Sequence, residues 1–192
     1  MKLKFIYIIT ALATLALVFS CAKPPLAEME NAREAVFRAE NDEDAVIYGG
    51  STLARARDSI RRMQIEADEK RYDSAKTYAA EAVAAADRAI AEGKAGAARA
   101  RDEAAALLAG LVPALEDAER NINGAQYSNL DMDYDALRRD LNNANDTLDG
   151  AQTDQAQGRY NDAVEKGMDV RSTVGSINLR ISDAATASSR KK

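Results

Sequence analysis

The chain predicts an all-α fold: an elongated antiparallel bundle of five or six helices in two similar halves. Three observations lead there. Alanine is abundant and Glu, Arg, Asp and Leu fill much of the remainder, with no Trp, no His and three Pro. That composition suits long helices with thin, Ala-lined seams. Apolar residues recur at spacings of three and four along most of the chain, which gathers them on one stripe per helix. Sliding the chain by 88 positions aligns residues 53–75 with residues 141–163 without a gap.

The first segment is not part of that bundle. Lys2 and Lys4 form a short cationic start, an uncharged apolar run from Phe5 to Phe19 follows, and Ser20 precedes Cys21, the only cysteine. A run of this length is short for a membrane span and reads as a secretory signal peptide. Val18-Phe19-Ser20-Cys21 resembles the lipobox of bacterial lipoproteins. The resemblance implies cleavage between Ser20 and Cys21 and lipid attachment at the Cys21 thiol, with the bulky Phe19 as a departure from the family's preference. Residues 1–20 are then a signal peptide and 21–26 a lipidated tether, kept extended by Pro24 and Pro25.

Helices follow in order. Met29, Ala32, Val36 and Ala39 form the stripe of the first, which begins near Ala27 and ends in a loop containing Asn41–Asp44 and Gly49-Gly50. Ser51 or Thr52 is the expected cap of the second, which runs from about Leu53 to Asp68 on Leu53, Ala56, Ile60, Met63 and Ala67. A corner at Glu69-Lys70-Arg71 leads into a third helix from Tyr72, seamed by Ala75, Ala79, Ala82, Ala86 and Ala89. Gly93 and Gly96 each cost about 1 kcal/mol relative to Ala and do not end it. Leu107, Leu108, Leu111, Leu115, Ala118 and Ile122 carry the stripe onward, and Pro113 is expected to kink the helix or start a new one.

After a loop from Gly124 to Asp133, a helix from Tyr134 to Gln157 is carried by Leu137, Leu141, Ala144, Leu148 and Ala151. Gly158 marks the next corner. The last helix has the cleanest heptad, through Tyr160, Ala163, Gly167, Val170, Val174, Ile177 and Ile181. These assignments divide the body into halves at 27–112 and 113–183, with 184–192 a flexible tail.

The internal match is specific at the corners. Leu53, Ala56, Asp58, Gln64, Arg71, Tyr72 and Ala75 meet identical residues at Leu141, Ala144, Asp146, Gln152, Arg159, Tyr160 and Ala163. A two-residue slip in the loop then sets Met29-Glu30-Asn31-Ala32 against Leu115-Glu116-Asp117-Ala118. Each half is therefore helix, loop, helix, tight corner, helix. The corner segments Glu69–Ala75 and Gln157–Ala163 look like the turn of helical-repeat proteins such as the tetratricopeptide family, although the spacing departs from a 34-residue repeat. From Lys23 to about Leu111 the chain is similar to a helical domain of unknown function found in bacterial envelope lipoproteins, including those of spirochaetes. That resemblance implies an α-helical envelope lipoprotein and no reaction.

Charge and chemistry narrow the function. Of 26 basic side chains two lie in the leader, leaving 24 against 31 acidic ones, which argues against nucleic acid as a partner. Without histidine or a free thiol the commonest base, soft metal ligands and thiol nucleophiles are missing. No catalytic residue, cofactor site or metal site is expected. The acids of Asn41–Asp44 and of Asp131, Asp133 and Asp135 are expected to cap helix starts rather than hold Ca²⁺, and Tyr72, Tyr78, Tyr127, Tyr134 and Tyr160 to pack at corners. The C-terminal Arg190-Lys191-Lys192 resembles the end of the Braun-type lipoprotein, whose last Lys is bonded to peptidoglycan; a solvated basic tail is the simpler expectation. Ala22 after the cysteine does not resemble the Asp retention signal of enterobacterial inner-membrane lipoproteins, which points to the outer membrane. The expected partners are a lipid bilayer through acylated Cys21 and another envelope protein or the cell wall. Two functions remain: a non-enzymatic scaffold, or a module holding a peptide, lipid or small ligand between its halves.

Overall fold

Residues 23–190 are described in the computed structural model; the predicted cleavage and acylation positions, Ser20 and Cys21, and the terminal Lys191 and Lys192 lie outside them. Lys23–Pro25 is non-helical, and α1 (Leu26–Glu40) starts directly after the two prolines, with the Met29 N–H donating to the Pro25 carbonyl at 3.0 Å. Asn41 closes it by donating both its backbone N–H and its Nδ2 to the Phe37 carbonyl, which satisfies an otherwise orphaned helix-end acceptor.

The expected loop before the second long helix contains a short helix of its own, α2 (Glu43–Tyr48). The carboxylate of Asp42 accepts the Ala45 N–H at 2.9 Å and caps it. Helix α3 (Gly50–Asp68) then begins earlier than predicted and has no side-chain cap. Neither Ser51 nor Thr52 takes that role: Thr52 lies inside the first turn, nearly buried, and its hydroxyl donates to Glu92 at 2.5 Å. Packing against the next helix wins over local capping.

Helix α4 (Tyr72–Tyr127) is continuous through Gly93 and Gly96, as expected, and through Pro113, which starts no new helix. Proline removes one backbone donor, and both Pro113 and Ala109, four residues earlier, are exposed. Water can therefore take the freed carbonyl. Helix α5 (Tyr134–Ala156) is capped by Asp133, whose carboxylate accepts the Ala136 N–H at 2.9 Å. Helix α6 (Tyr160–Arg190) runs through the segment from Ala184 that was expected to fray. Alanine-rich sequence sustains it, and Thr186 and Ser189 satisfy their hydroxyls on carbonyls of the preceding turn.

Contacts divide the chain into two compact units between Gly93 and Lys94, inside α4 and nineteen residues before the boundary predicted at Pro113. The reason is that Ala104, Leu108 and Leu111 pack with α5 and α6, so this part of α4 belongs to the second core. In the first unit α1 and α3 are antiparallel: Arg33 donates to Gln64 and Arg57 to Glu40, equal steps in opposite directions. In the second, Lys166 pairs with Asp154 and Arg180 with Asp140, which makes α5 and α6 antiparallel too.

The first core holds Met29, Val36, Leu53 and Met63 among nine alanines. The second is built largely of Leu, Ile and Val, with Ile122, Leu137, Val170 and Ile177 almost wholly buried.

Candidate functional site

Within the described residues the structure offers two places where side-chain chemistry is concentrated: the elbows that repeat at 88 residues, and the grooves beside α4. The elbows follow from chain geometry. Three residues connect α3 to α4 and α5 to α6, so the chain must reverse within one turn, and Lys70 (φ 60°) and Gly158 (φ 80°) take the left-handed conformation that allows it. At each elbow the arginine N–H reaches the carbonyl five residues earlier, Arg71 to Glu66 at 2.8 Å and Arg159 to Asp154 at 2.9 Å. The same arginines also clasp the acidic side chains: Arg71 ion-pairs with Glu66 and Glu69, and Arg159 with Asp154.

The second elbow is the more developed. Asp154 is buried to 3 % exposure, and Lys166 donates to its Oδ2 at 2.5 Å while Arg159 takes Oδ1. These donors, Lys166 first and Arg159 next, hold the Asp154 carboxyl below its ordinary range against the opposing effect of burial. Glu66 is lowered in the same way, chiefly by Arg71. Around Asp154 a charged depression of about 530 Å³ is lined by Arg159, Asp162, Glu165, Lys166 and Asp169. A carboxylate held in its charged form by two cationic partners is a poor proton carrier near neutral pH, so this cluster reads as a structural clasp.

Sequence reasoning picked out the Arg-Tyr pairs at the corners and missed the acids they bind. The signal was available, because Glu66 and Asp154 stand at the same 88-residue offset as Arg71 and Arg159. Two further contacts fall on that offset. Thr52 with Glu92 matches Asp140 with Arg180, and Arg62 over the Tyr78 ring at 5.9 Å matches Lys166 beside Gly150.

The other predicted site residues are dispersed. Asp42 and Asp133 cap α2 and α5. Asp131 and Asp135 join no ligand set: among the described residues no group of three or more His, Cys, Asp or Glu is placed to hold a metal ion. Tyr134 packs at the rim of the second core with its hydroxyl 2.7 Å from the Leu130 carbonyl, and Tyr160 packs against the same core from the α5–α6 corner. Tyr78 packs on the first core. Tyr127 does not pack at a corner; it is the last residue of α4 and is 90 % exposed. No helix among the described residues is long and apolar enough to cross a membrane.

The grooves beside α4 differ between the units. In the first, Ala79, Ala80, Val83 and Ala84 of α4 form the floor of an open depression of about 430 Å³, rimmed by Glu28, Asn31, Lys76 and Asp87. In the second, the matching face carries Leu107 and Leu111 against Val174 and leaves about 300 Å³.

No protein-family model matches this chain, and neither a curated protein nor a solved structure is similar enough to be matched.

Proposed function

We propose that the chain is a bacterial envelope lipoprotein, anchored by acylated Cys21, that acts as a non-enzymatic scaffold holding another envelope protein or the cell wall near the membrane. The observation that carries the reading is the N-terminal pattern: Lys2 and Lys4, the apolar run Phe5 to Phe19, small Ser20, then the single cysteine. The structure lends it a compatible frame, since helix α1 starts at Leu26. Leu26 is five steps along the chain from Cys21, a reach of at most about 17 Å, so an anchor at Cys21 would keep the first unit close to the lipid surface. At about 0.8 kcal/mol per buried methylene, two or three acyl chains would hold it there essentially permanently.

The scaffold reading draws on the helical surfaces, dense in Arg–Asp and Arg–Glu pairs, and on the outer membrane as the expected site. A second reading, a module that binds a peptide, lipid or small ligand, draws its support from the open depression of the first unit. Metabolic labelling with a radioactive fatty acid tests the anchor. The expected result is label in the wild-type protein and in the membrane fraction, with both lost in Cys21→Ser. An unlabelled wild type, or a Cys21→Ser protein that stays with the membrane, would sink the reading.

A further inference from the structure

We propose that the outward face of α1 is a self-association surface, on which two copies of this chain pair their α1 helices antiparallel across a two-fold axis. The inference goes beyond the scaffold reading and does not depend on the anchor.

Helix α1 carries two heptad stripes. One, through Met29, Ala32, Val36 and Ala39, is buried in the first core. The other is Leu26, Glu30, Arg33 and Phe37, at steps of four, three and four, so these side chains share one outward face, and all four residues are exposed. Leu26 and Phe37, 69 % and 66 % exposed, stand three turns apart on it, and among the described residues only Tyr127 is a large hydrophobic left more open. A single exposed apolar side chain is ordinary. Two on one seam, with an acid and a base between them, form a pattern. Beside Phe37 lies a depression of about 210 Å³, lined by Val36, Phe37 and Ile60 together with the charged Arg33, Glu40 and Arg57.

That pattern is complementary to itself. With the two-fold axis between Asn31 and Ala32, each Leu26 meets the second copy's Phe37, at the depression beside it, and each Glu30 meets the second copy's Arg33. A parallel pair would set Glu30 on Glu30 and Arg33 on Arg33, so charge selects the antiparallel arrangement. Within one chain Arg33 lies 3.6 Å from Glu30 and donates to Gln64 at 2.6 Å. Exposed pairs of this kind contribute little, so exchanging them for partners on the second copy is inexpensive. The apolar ends supply the attraction and the charges set the register. The second unit has the same face without this complementarity. Its positions, 86 residues on, are Val112, Glu116, Glu119 and Asn123: two acids where the first unit alternates sign, and an amide in place of Phe37. Those residues are exposed as well, so an outward face in this fold does not by itself require the pattern that α1 carries.

One helix per copy makes a small interface of the weak class, so a dissociation constant on the order of 100 µM is expected. Sedimentation equilibrium of the mature chain with Cys21→Ser, from about 1 µM to about 1 mM, should show it pass from monomer to dimer. Phe37→Asn, Glu30→Arg and Arg33→Glu, each at an exposed site, should each weaken dimerisation at least about tenfold. Glu116→Arg, the same charge change on the second unit, should leave it unchanged. An equimolar mixture of the Glu30→Arg and Arg33→Glu chains should dimerise again, because each supplies the charges that the other lacks. Disulfide trapping reads the orientation: Leu26→Cys chains mixed with Phe37→Cys chains under a mild oxidant should give mainly the mixed dimer. Circular dichroism confirms that the variants remain folded. A chain monomeric at every concentration, equal effects of Glu30→Arg and Glu116→Arg, a mixture that does not recover, or disulfides mainly between like chains overturns the proposal. So does either of two other occupants. Dimerisation only after the residues before Leu26 are deleted would give the face to the chain's own start, and a monomer whose binding to phosphatidylglycerol vesicles is abolished by Phe37→Asn would give it to lipid. None of these readouts uses the acyl group, so failure here is separable from failure of the anchor.

Discussion

The two units use the same register and fill it differently. At equivalent buried positions the third helix of the first unit has Ala82, Ala86 and Ala89, and that of the second has Val170, Val174 and Ile177. Gly49 of the first corresponds to Leu137 of the second. A Cβ on Gly49 would meet the Ala89 carbonyl oxygen at 2.4 Å, and one on Gly93 would meet the Ala45 nitrogen at 2.5 Å. The first unit is thus closed by backbone laid against backbone, with α2 and its C-cap Gly49 lying on α4 at Gly93 and Ala89, while the second is closed by branched side chains. Small residues allow close approach at the cost of tolerance, because a backbone cannot rotate out of the way as a side chain can.

The largest test of that contrast removes volume from the second core. Leu137→Ala, at a fully buried site, is expected to cost about 2–5 kcal/mol in denaturant unfolding through lost burial and a residual cavity. A loss under about 1 kcal/mol would show that the second core does not depend on large side chains.

Adding volume should hurt the first unit more. Gly93→Ala is expected to destabilise by about 1–3 kcal/mol despite alanine's better helix propensity, because the clash is with α2 backbone. In Gly167→Ala the obstructing atoms are the far end of Leu107. Rotation of that side chain and the helix propensity gained should bring the net change to within about 1 kcal/mol of zero. Equal effects at the two glycines would erase the distinction.

The elbows differ in charge. Asp154 has two cationic partners and Glu66 is held chiefly by Arg71. Both carboxyls are lowered in the folded state, so their contribution is present above the unfolded carboxyl range near pH 4 and is lost as pH falls through the folded value. Asp154→Asn should lower the melting temperature at pH 7, and the gap to wild type should close at acid pH. A gap that persists unchanged to pH 2 would mean that the ion cluster is not its source. Glu66→Gln should show the same trend with a smaller gap.

The smallest effect separates the elbow backbones. Lys70 and Gly158 share the left-handed conformation, which costs a residue with a side chain about 1–2 kcal/mol. Lys70→Gly should therefore stabilise by up to about 1 kcal/mol, and Gly158→Ala should destabilise by about 1 kcal/mol, both read from thermal melts. Opposite signs at equivalent positions are the signature; two losses would show that Lys70 contributes more through its side chain than its backbone costs.

Sequence determined what depends on near neighbours. Helical stripes such as Leu137, Leu141, Ala144 and Leu148 declare themselves because the helix brings residues three and four apart onto one face. The repeat showed itself through Arg71-Tyr72 and Arg159-Tyr160, since an elbow is built from adjacent residues. The caps at Asp42 and Asp133 were readable for the same reason.

Tertiary structure decided what depends on distant neighbours. Gly93 read as a weak point in a helix and is instead the seat of α2, and Thr52 read as a cap and is instead tied to Glu92, forty residues away. The unit boundary fell at Gly93–Lys94 because the side chains of residues 104–111 find their partners on α5 and α6, which no local pattern states. Likewise the alanine stripe of α4 said that a helix could come close. Only the folded chain decided which helix lies against each part of it, because burial belongs to a pair of surfaces and a sequence stripe describes one.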